Sequence, residues 1–224
     1  MNISFLKTSS LCLLLIVFSS GCGNKNKKNI QEKKGETTMV NNKKNIKIIL
    51  GSTREQSMSK KIGLALKNLV DKKGTINAEI IDLGDYSLPF LYEQAAPARR
   101  TEITDTAIQR WSDTIIHTDG FILVVPEYNS GYPGVLKNAL DLLYKEWNNK
   151  PVMLVGHSGG PSGGKNALKQ LKEVVLALQM TPIDQELLIP TSWKALSADG
   201  LLAEPEQEVV FDKALDEIME FLNR

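Results

Sequence analysis

Three short segments gather hydrogen-bonding side chains and glycine at points where an apolar run ends: Gly51 to Ser59, Pro126 to Gly134, and Gly156 to Gly164. In the first, the hydroxyls of Ser52, Thr53, Ser57 and Ser59 surround Arg54 just ahead of an expected helix start. A helix N-terminus offers unpaired N–H groups and the positive end of its dipole, and a guanidinium adds a charge-assisted bond, so this set suits a phosphate. The same residues also fit a plain helix start, with Ser57 or Ser59 as N-cap and Arg54 in solvent. Neither Walker A spacing nor a Gly-x-Gly-x-x-Gly fingerprint is present, and one cluster of donors fits a monophosphate ester better than a pyrophosphate.

The third segment, Gly159-Gly160-Pro161-Ser162-Gly163-Gly164, has so little bulk that a flat ligand could lie against its backbone with N–H groups facing its carbonyls; a tight turn needing positive φ is the competing reading. Gly156-His157-Ser158-Gly159-Gly160 also matches the Gly-x-Ser-x-Gly nucleophile elbow of α/β hydrolases. In that fold the triad histidine follows the serine, and no histidine follows His157. A serine hydrolase is therefore disfavoured.

The elements that must position these segments are legible as periodicities. Ile46, Ile48, Ile49 and Leu50 form an apolar strand, and Ile62, Leu66, Leu69 and Val70 share one helical face. Ile76, Ala78 and Ile80 alternate as a half-buried strand, and after a long Pro-containing connection Ile108, Trp111 and Ile115 mark a helix. Phe121 to Val125 is apolar throughout, as a central strand covered on both faces requires; its helix carries Leu136, Ala139, Leu140 and Leu143. Val152 to Val155 and the helix of Leu168, Leu171, Val175 and Leu178 repeat the unit. A weaker strand near Leu187 to Ile189 precedes a last helix with Phe211, Leu215, Ile218 and Leu222. Strands alternating with helices predict an α/β fold with a parallel, doubly wound five-stranded sheet. All three segments then fall outside the carboxyl ends of strands, where such sheets bind ligands.

Composition limits the alternatives. At 224 residues, 42% hydrophobic and 24% charged, the chain can fill one core. A formal net charge of +1 gives no basic field for nucleic acid. Cys12 and Cys22 both precede the expected domain, so the fold gains no disulfide or thiolate from them, and His117 and His157 alone make no zinc centre. Lys7, the apolar run Leu11 to Phe18, and Ser19-Ser20-Gly21-Cys22 have the layout of a secretory signal, too short for the roughly 20 apolar residues of a membrane span. This segment resembles a bacterial lipoprotein signal, which implies a lipid on Cys22 and a place in the cell envelope; Ser19 stands where that pattern usually has Leu. Residues 23–44 are rich in Asn and Lys and read as a flexible tether. The expected division is thus 1–22 signal segment, 23–44 linker, 45–224 folded domain.

Taken together, the three loops resemble the NADPH-dependent FMN reductase family of flavodoxin-like quinone, chromate and azo-dye reductases. The family's Gly-Ser-x-Arg-x-x-Ser-x-Asn is answered by Gly51, Ser52, Arg54 and Ser57, with Ser59 in place of Asn. Its Pro-Glu-Tyr-Asn, Pro-Gly and Leu-Lys-Asn-Ala are met by Pro126 to Asn129, Pro133-Gly134 and Leu136 to Ala139, and its Ser/Gly segment by Ser158, Gly159, Gly160, Gly163 and Gly164. Asp82 to Pro89 is similar to a pocket-walling segment. The resemblance implies FMN held non-covalently, its phosphate by Ser52, Arg54, Ser57 and Ser59, and its ring along Pro126, Glu127, Tyr128 and Asn129 and the Ser158, Gly159, Gly160 and Gly163 loop. It implies electron transfer from NADPH or NADH through FMN to a quinone or similar small acceptor, no catalytic acid or base from the protein, and a homo-oligomer. A non-enzymatic flavodoxin-like carrier fed by a protein partner is the second expectation, because the signal segment would place the domain away from cytoplasmic NADPH.

Overall fold

The computed structural model describes residues 43–224; the expected signal segment 1–22 with Cys22, and the expected linker as far as residue 42, lie outside the described residues. The strands are β1 (Asn45–Leu50), β2 (Asn77–Asp82), β3 (Gly120–Pro126), β4 (Pro151–His157), β5 (Thr181–Pro182) and β6 (Leu187–Ile189). The helices are α1 (Met58–Lys73), α2 (Thr106–Ile116), α3 (Gly134–Asp141), α4 (Lys165–Ala177) and α5 (Pro205–Leu222). All strand pairs are parallel, in the order β2-β1-β3-β4-β5, with β6 also on the β4 edge. This is the flavodoxin-like order. The fifth strand is therefore one edge strand broken in two. β5 extends only over Thr181 and Pro182, and Pro182 has no N–H to donate, which is tolerable at an edge.

Alternation along each strand sorts the core into two layers. Ile46, Ile48 and Leu50, Ile122 and Val124, and Met153 and Val155 pack toward α1 and α5. Ile49, then Phe121, Leu123 and Val125, then Val152 and Leu154 pack toward α2, α3 and α4. Every residue of β3 and β4 is buried, as parallel strands covered on both faces must be. In the second layer Trp111 and Trp147 meet edge to face at 5.9 Å, and Phe121 meets Trp147 at 5.0 Å. Their indole N–H groups donate to Ala139 O (2.8 Å) and Leu140 O (3.1 Å), which satisfies both at the end of α3.

Two helices end earlier than their apolar spacing suggests. α3 stops at Asp141, and Leu143 is buried beyond it; α4 stops at Ala177, with Leu178 as its cap residue. The long connection after β2 is pinned by Arg100, which donates to Leu142 O (3.1 Å) and pairs with Glu93 at 2.5 Å.

Candidate functional site

Parallel register brings four strand ends to one rim. Leu50 stands beside Val124, Pro126 beside His157, and His157 beside Ile189. The loops leaving these ends enclose a cleft of about 330 Å³ lined by Arg54, Gln56, Ser57 and Met58, by Pro126, Glu127 and Tyr128, by His157, Ser158 and Gly159, and by Ser192.

The first loop turns tightly because Gly51 N–H donates to Val124 O (2.8 Å). A Cβ on Gly51 would lie 3.0 Å from that same oxygen. Ser57 is the N-cap of α1: its Oγ accepts from Ser59 N–H at 3.1 Å. One of the helix's orphan donors is thereby used, and Met58, the first helical residue, faces the cleft with the dipole's positive end. Arg54 is exposed beside it, 6.0 Å from the centroid of the Tyr128 ring, and has no carboxylate within ion-pair distance among the described residues.

The second loop is tied to both neighbours. Ser52 Oγ lies 2.8 Å from the Tyr128 hydroxyl. Tyr128 and Gly131 exchange N–H···O bonds of 2.8 and 3.0 Å around Asn129 (φ 51) and Ser130 (φ 63), a turn with both central residues left-handed. Glu127 reaches the start of α4, where Oε2 accepts from Asn166 N–H (2.9 Å) and Ala167 N–H (3.4 Å) and Oε1 from Asn166 Nδ2 and Ser162 Oγ (both 3.2 Å). Desolvation pushes this carboxyl up, but the bonds from Asn166, Ala167 and Ser162 outweigh it and hold Glu127 below the ordinary carboxylate range. Its charge is thus absorbed by a helix N-terminus, which leaves Arg54 as the uncompensated charge of the cleft.

The third loop depends on two left-handed glycines, Gly163 (φ 61) and Gly164 (φ 91). A Cβ on Gly164 would come within 2.6 Å of His157 N, so α4 can start this close to β4 only without a side chain there. Gly159 and Gly160 are exposed, and a Cβ on Gly160 would meet nothing within 4 Å. A bare backbone beside a cation and a helix N-terminus suits a flat ligand that carries one anionic group.

Not every residue expected at the site reaches it. Arg54, Ser57, Pro126, Glu127, Tyr128, Ser158 and Gly159 line the cleft, and Asn129 and Gly160 are exposed in its loops. Ser52, Ser59 and Gly163 are buried behind it. Ser59 is fully buried, and its Oγ lies 2.7 Å from His157 Nε2, so its hydroxyl joins α1 to β4 instead of facing a ligand. Burial pushes the His157 imidazole down to about 4, so it is neutral at pH 7. Gly163 takes Ile189 N–H on its carbonyl (3.3 Å) and belongs to the packing of the turn. Gln56, Met58, His157 and Ser192 are cleft residues that motif reading passed over. For Ser192 a signal existed, since any loop leaving the carboxyl end of the fifth strand must reach this rim. Ser158, the serine of the Gly-x-Ser-x-Gly match, forms no dyad with His157: its Oγ donates to Gly160 O (3.0 Å) and lies 3.0 Å from Ser162 Oγ, while His157 faces the buried Ser59.

Comparison with known proteins agrees with this geometry. Residues 45–194 match the family model described as NADPH-dependent FMN reductase. The chain is 32% identical over 197 residues to an NAD(P)H-dependent FMN reductase of a Nectria species, covering 80% of this chain and 97% of that one. It is 31% identical over 140 residues to a quinone reductase of Pseudomonas putida, covering 60% and 71% of the two chains. Among solved structures, the flavoenzyme NAD(P)H:(acceptor) oxidoreductase FerB of Paracoccus denitrificans superposes with a TM-score of 0.66 at 27% identity, over 80% of this chain and 98% of FerB.

Proposed function

The chain belongs to the NADPH-dependent FMN reductase family, and from that membership we propose that it passes electrons from NADPH or NADH through FMN to a quinone or similar small acceptor. It is an oxidoreductase whose cofactor is FMN and whose donor is a reduced nicotinamide. The observation that carries the reading is the convergence of Arg54, the α1 N-terminus and the bare Gly159-Gly160 backbone on one cleft.

FMN, when bound, supplies the hydride chemistry. The protein's part is binding and orientation. Arg54, Ser57 and the first N–H groups of α1 would hold the phosphate. Pro126 to Asn129 and Ser158 to Gly160 would bound the ring, with backbone N–H groups stabilising negative charge on it. Ser52 and Ser59 act one layer back, the first through Tyr128 and the second through His157. Glu127 fixes the distance between the second and third loops by capping α4. None of these groups is assigned as an acid or base.

The test is an anaerobic visible spectrum of the FMN-loaded protein. Bleaching by NADPH or NADH supports the reductase; a yellow protein indifferent to both is instead a carrier that needs a protein donor. A homo-oligomer is part of the proposal, supported by the exposed apolar side chains of Phe90 (82% exposed), Leu91 and Tyr92 in the connection after β2 and of Val135 at the start of α3. Light scattering that returns a monomer would remove it. An envelope location with a lipid on Cys22 is likewise proposed from the signal-like residues 1–22, and an intact-mass measurement of the membrane-extracted protein decides it.

A further inference from the structure

Of the chain's three tryptophans, Trp111 and Trp147 are fully buried, whereas Trp193 keeps 65% of its surface in solvent. It stands in the loop after β6, next to Ser192 of the cleft wall. A Cβ on Gly159 would lie 3.3 Å from Trp193 Cζ3, so the indole rests against the backbone of another cleft residue.

This placement is held firmly. Thr191 N–H donates to Gly160 O (3.0 Å), Ser192 N–H to Ser158 O (2.8 Å) and Lys194 N–H to Thr191 O (2.8 Å). Thr191 is left-handed, with φ 49. A β-branched residue rarely adopts that conformation, and such strain persists where the surroundings over-determine it. The loop is thus fastened to the glycine segment by two bonds, and it carries a large aromatic that the core does not use.

We propose that Trp193 is a stacking wall for the electron acceptor, selecting a flat, electron-poor conjugated ring of the quinone type. The proposal rests on the reductase reading above and adds a residue to its substrate site. An indole presents an electron-rich face, and stacked or edge-on aromatic pairs gain beyond simple area burial. An oxidised quinone is the electron-poor partner. Once it has taken up a hydride from the reduced cofactor and a proton from water, it is an electron-rich hydroquinone. The indole therefore favours the acceptor before reduction over the product after it, and aids turnover at both ends.

The experiment is equilibrium binding of duroquinone, a fully substituted quinone with no site for thiol or amine addition, to the oxidised FMN-loaded protein without nicotinamide. Dialysis gives its Kd, and a parallel titration of each apoprotein gives the Kd for FMN. Trp193→Ala is expected to raise the duroquinone Kd about fivefold, Trp193→Phe to restore most of the loss, and the FMN Kd to move less than twofold in both. An unchanged duroquinone Kd in Trp193→Ala overturns the proposal. So does an equal loss of FMN affinity, which would make Trp193 a wall of the cofactor site. A wild-type protein that loads FMN and is bleached by NADPH but binds no duroquinone defeats this proposal alone. One that loads no FMN defeats the reductase reading with it.

Discussion

Two hollows open at opposite ends of the same sheet, and the larger is not the site. The groove at the amino ends of β1 and β2 measures about 490 Å³ and is bordered by Asn45, Lys47, Asn77, Glu79, Asp113 and His117. The cleft at the carboxyl ends is nearer 330 Å³. In the groove the polar groups are spent on one another: Lys47 pairs with Glu79, Asn77 Nδ2 donates to Asn45 Oδ1 (3.3 Å), and Asn45 N–H donates to Asp119 (2.7 Å). In the cleft the pairing is arranged behind the surface. Ser59 is spent on His157 and Glu127 on α4, so Arg54, the α1 start and the glycine backbone remain for a ligand. Volume does not choose between the two; the distribution of unspent donors does.

The contrast can be broken most severely at Gly164. Any side chain there adopts φ 91 and strikes the end of β4, so Gly164→Ala should cost roughly 3 kcal/mol or more and abolish FMN retention. Urea unfolding measures the first and absorbance at 450 nm after desalting the second. The same substitution at Gly160, where a Cβ meets nothing, should be tolerated by the fold.

A smaller effect follows from acid. The unfolded chain protonates His157 near the ordinary 6.5, but the buried imidazole accepts its proton only at about 4. Between those values the unfolded state binds more protons, so stability falls as pH drops through that window and is fully present above it. At pH 5 the loss from this group should be roughly 2 kcal/mol. His157→Gln should flatten that part of the urea-derived stability profile.

Removing the cap by Glu127→Ala should cost about 1 kcal/mol and loosen the third loop, seen as faster hydrogen exchange at Ser162 to Ala167. Glu127→Gln, which keeps an acceptor oxygen, should recover part of it. At the small end, Lys47→Met in the groove should change stability by less than about 1 kcal/mol, the range of a partly exposed pair, and leave FMN affinity alone.

Much of this was legible beforehand, for identifiable reasons. The five strand positions and all five helices announce themselves by periodicity, because each buries a face against a neighbour. The three loops declare their place because they follow strand ends. The split of the edge strand was hidden, since Thr181-Pro182 is too short to show a period. The resemblance counts Ser59 among the phosphate contacts, and residue type cannot say which way a hydroxyl in the first turn of a helix points; in the fold it turns to His157, 98 positions away. Glu127 belongs to the matched motif, yet its work on α4 emerges only when two loops meet in space.

The most direct test is an equilibrium titration of the apoprotein with FMN, comparing wild type with Arg54→Ala in the cleft and Lys47→Met in the groove. The account predicts that Arg54→Ala weakens binding by about 1.5–3 kcal/mol, the range for bonds to charged groups, while Lys47→Met binds as wild type does. Unchanged affinity in Arg54→Ala, or a matching loss in Lys47→Met, would contradict it.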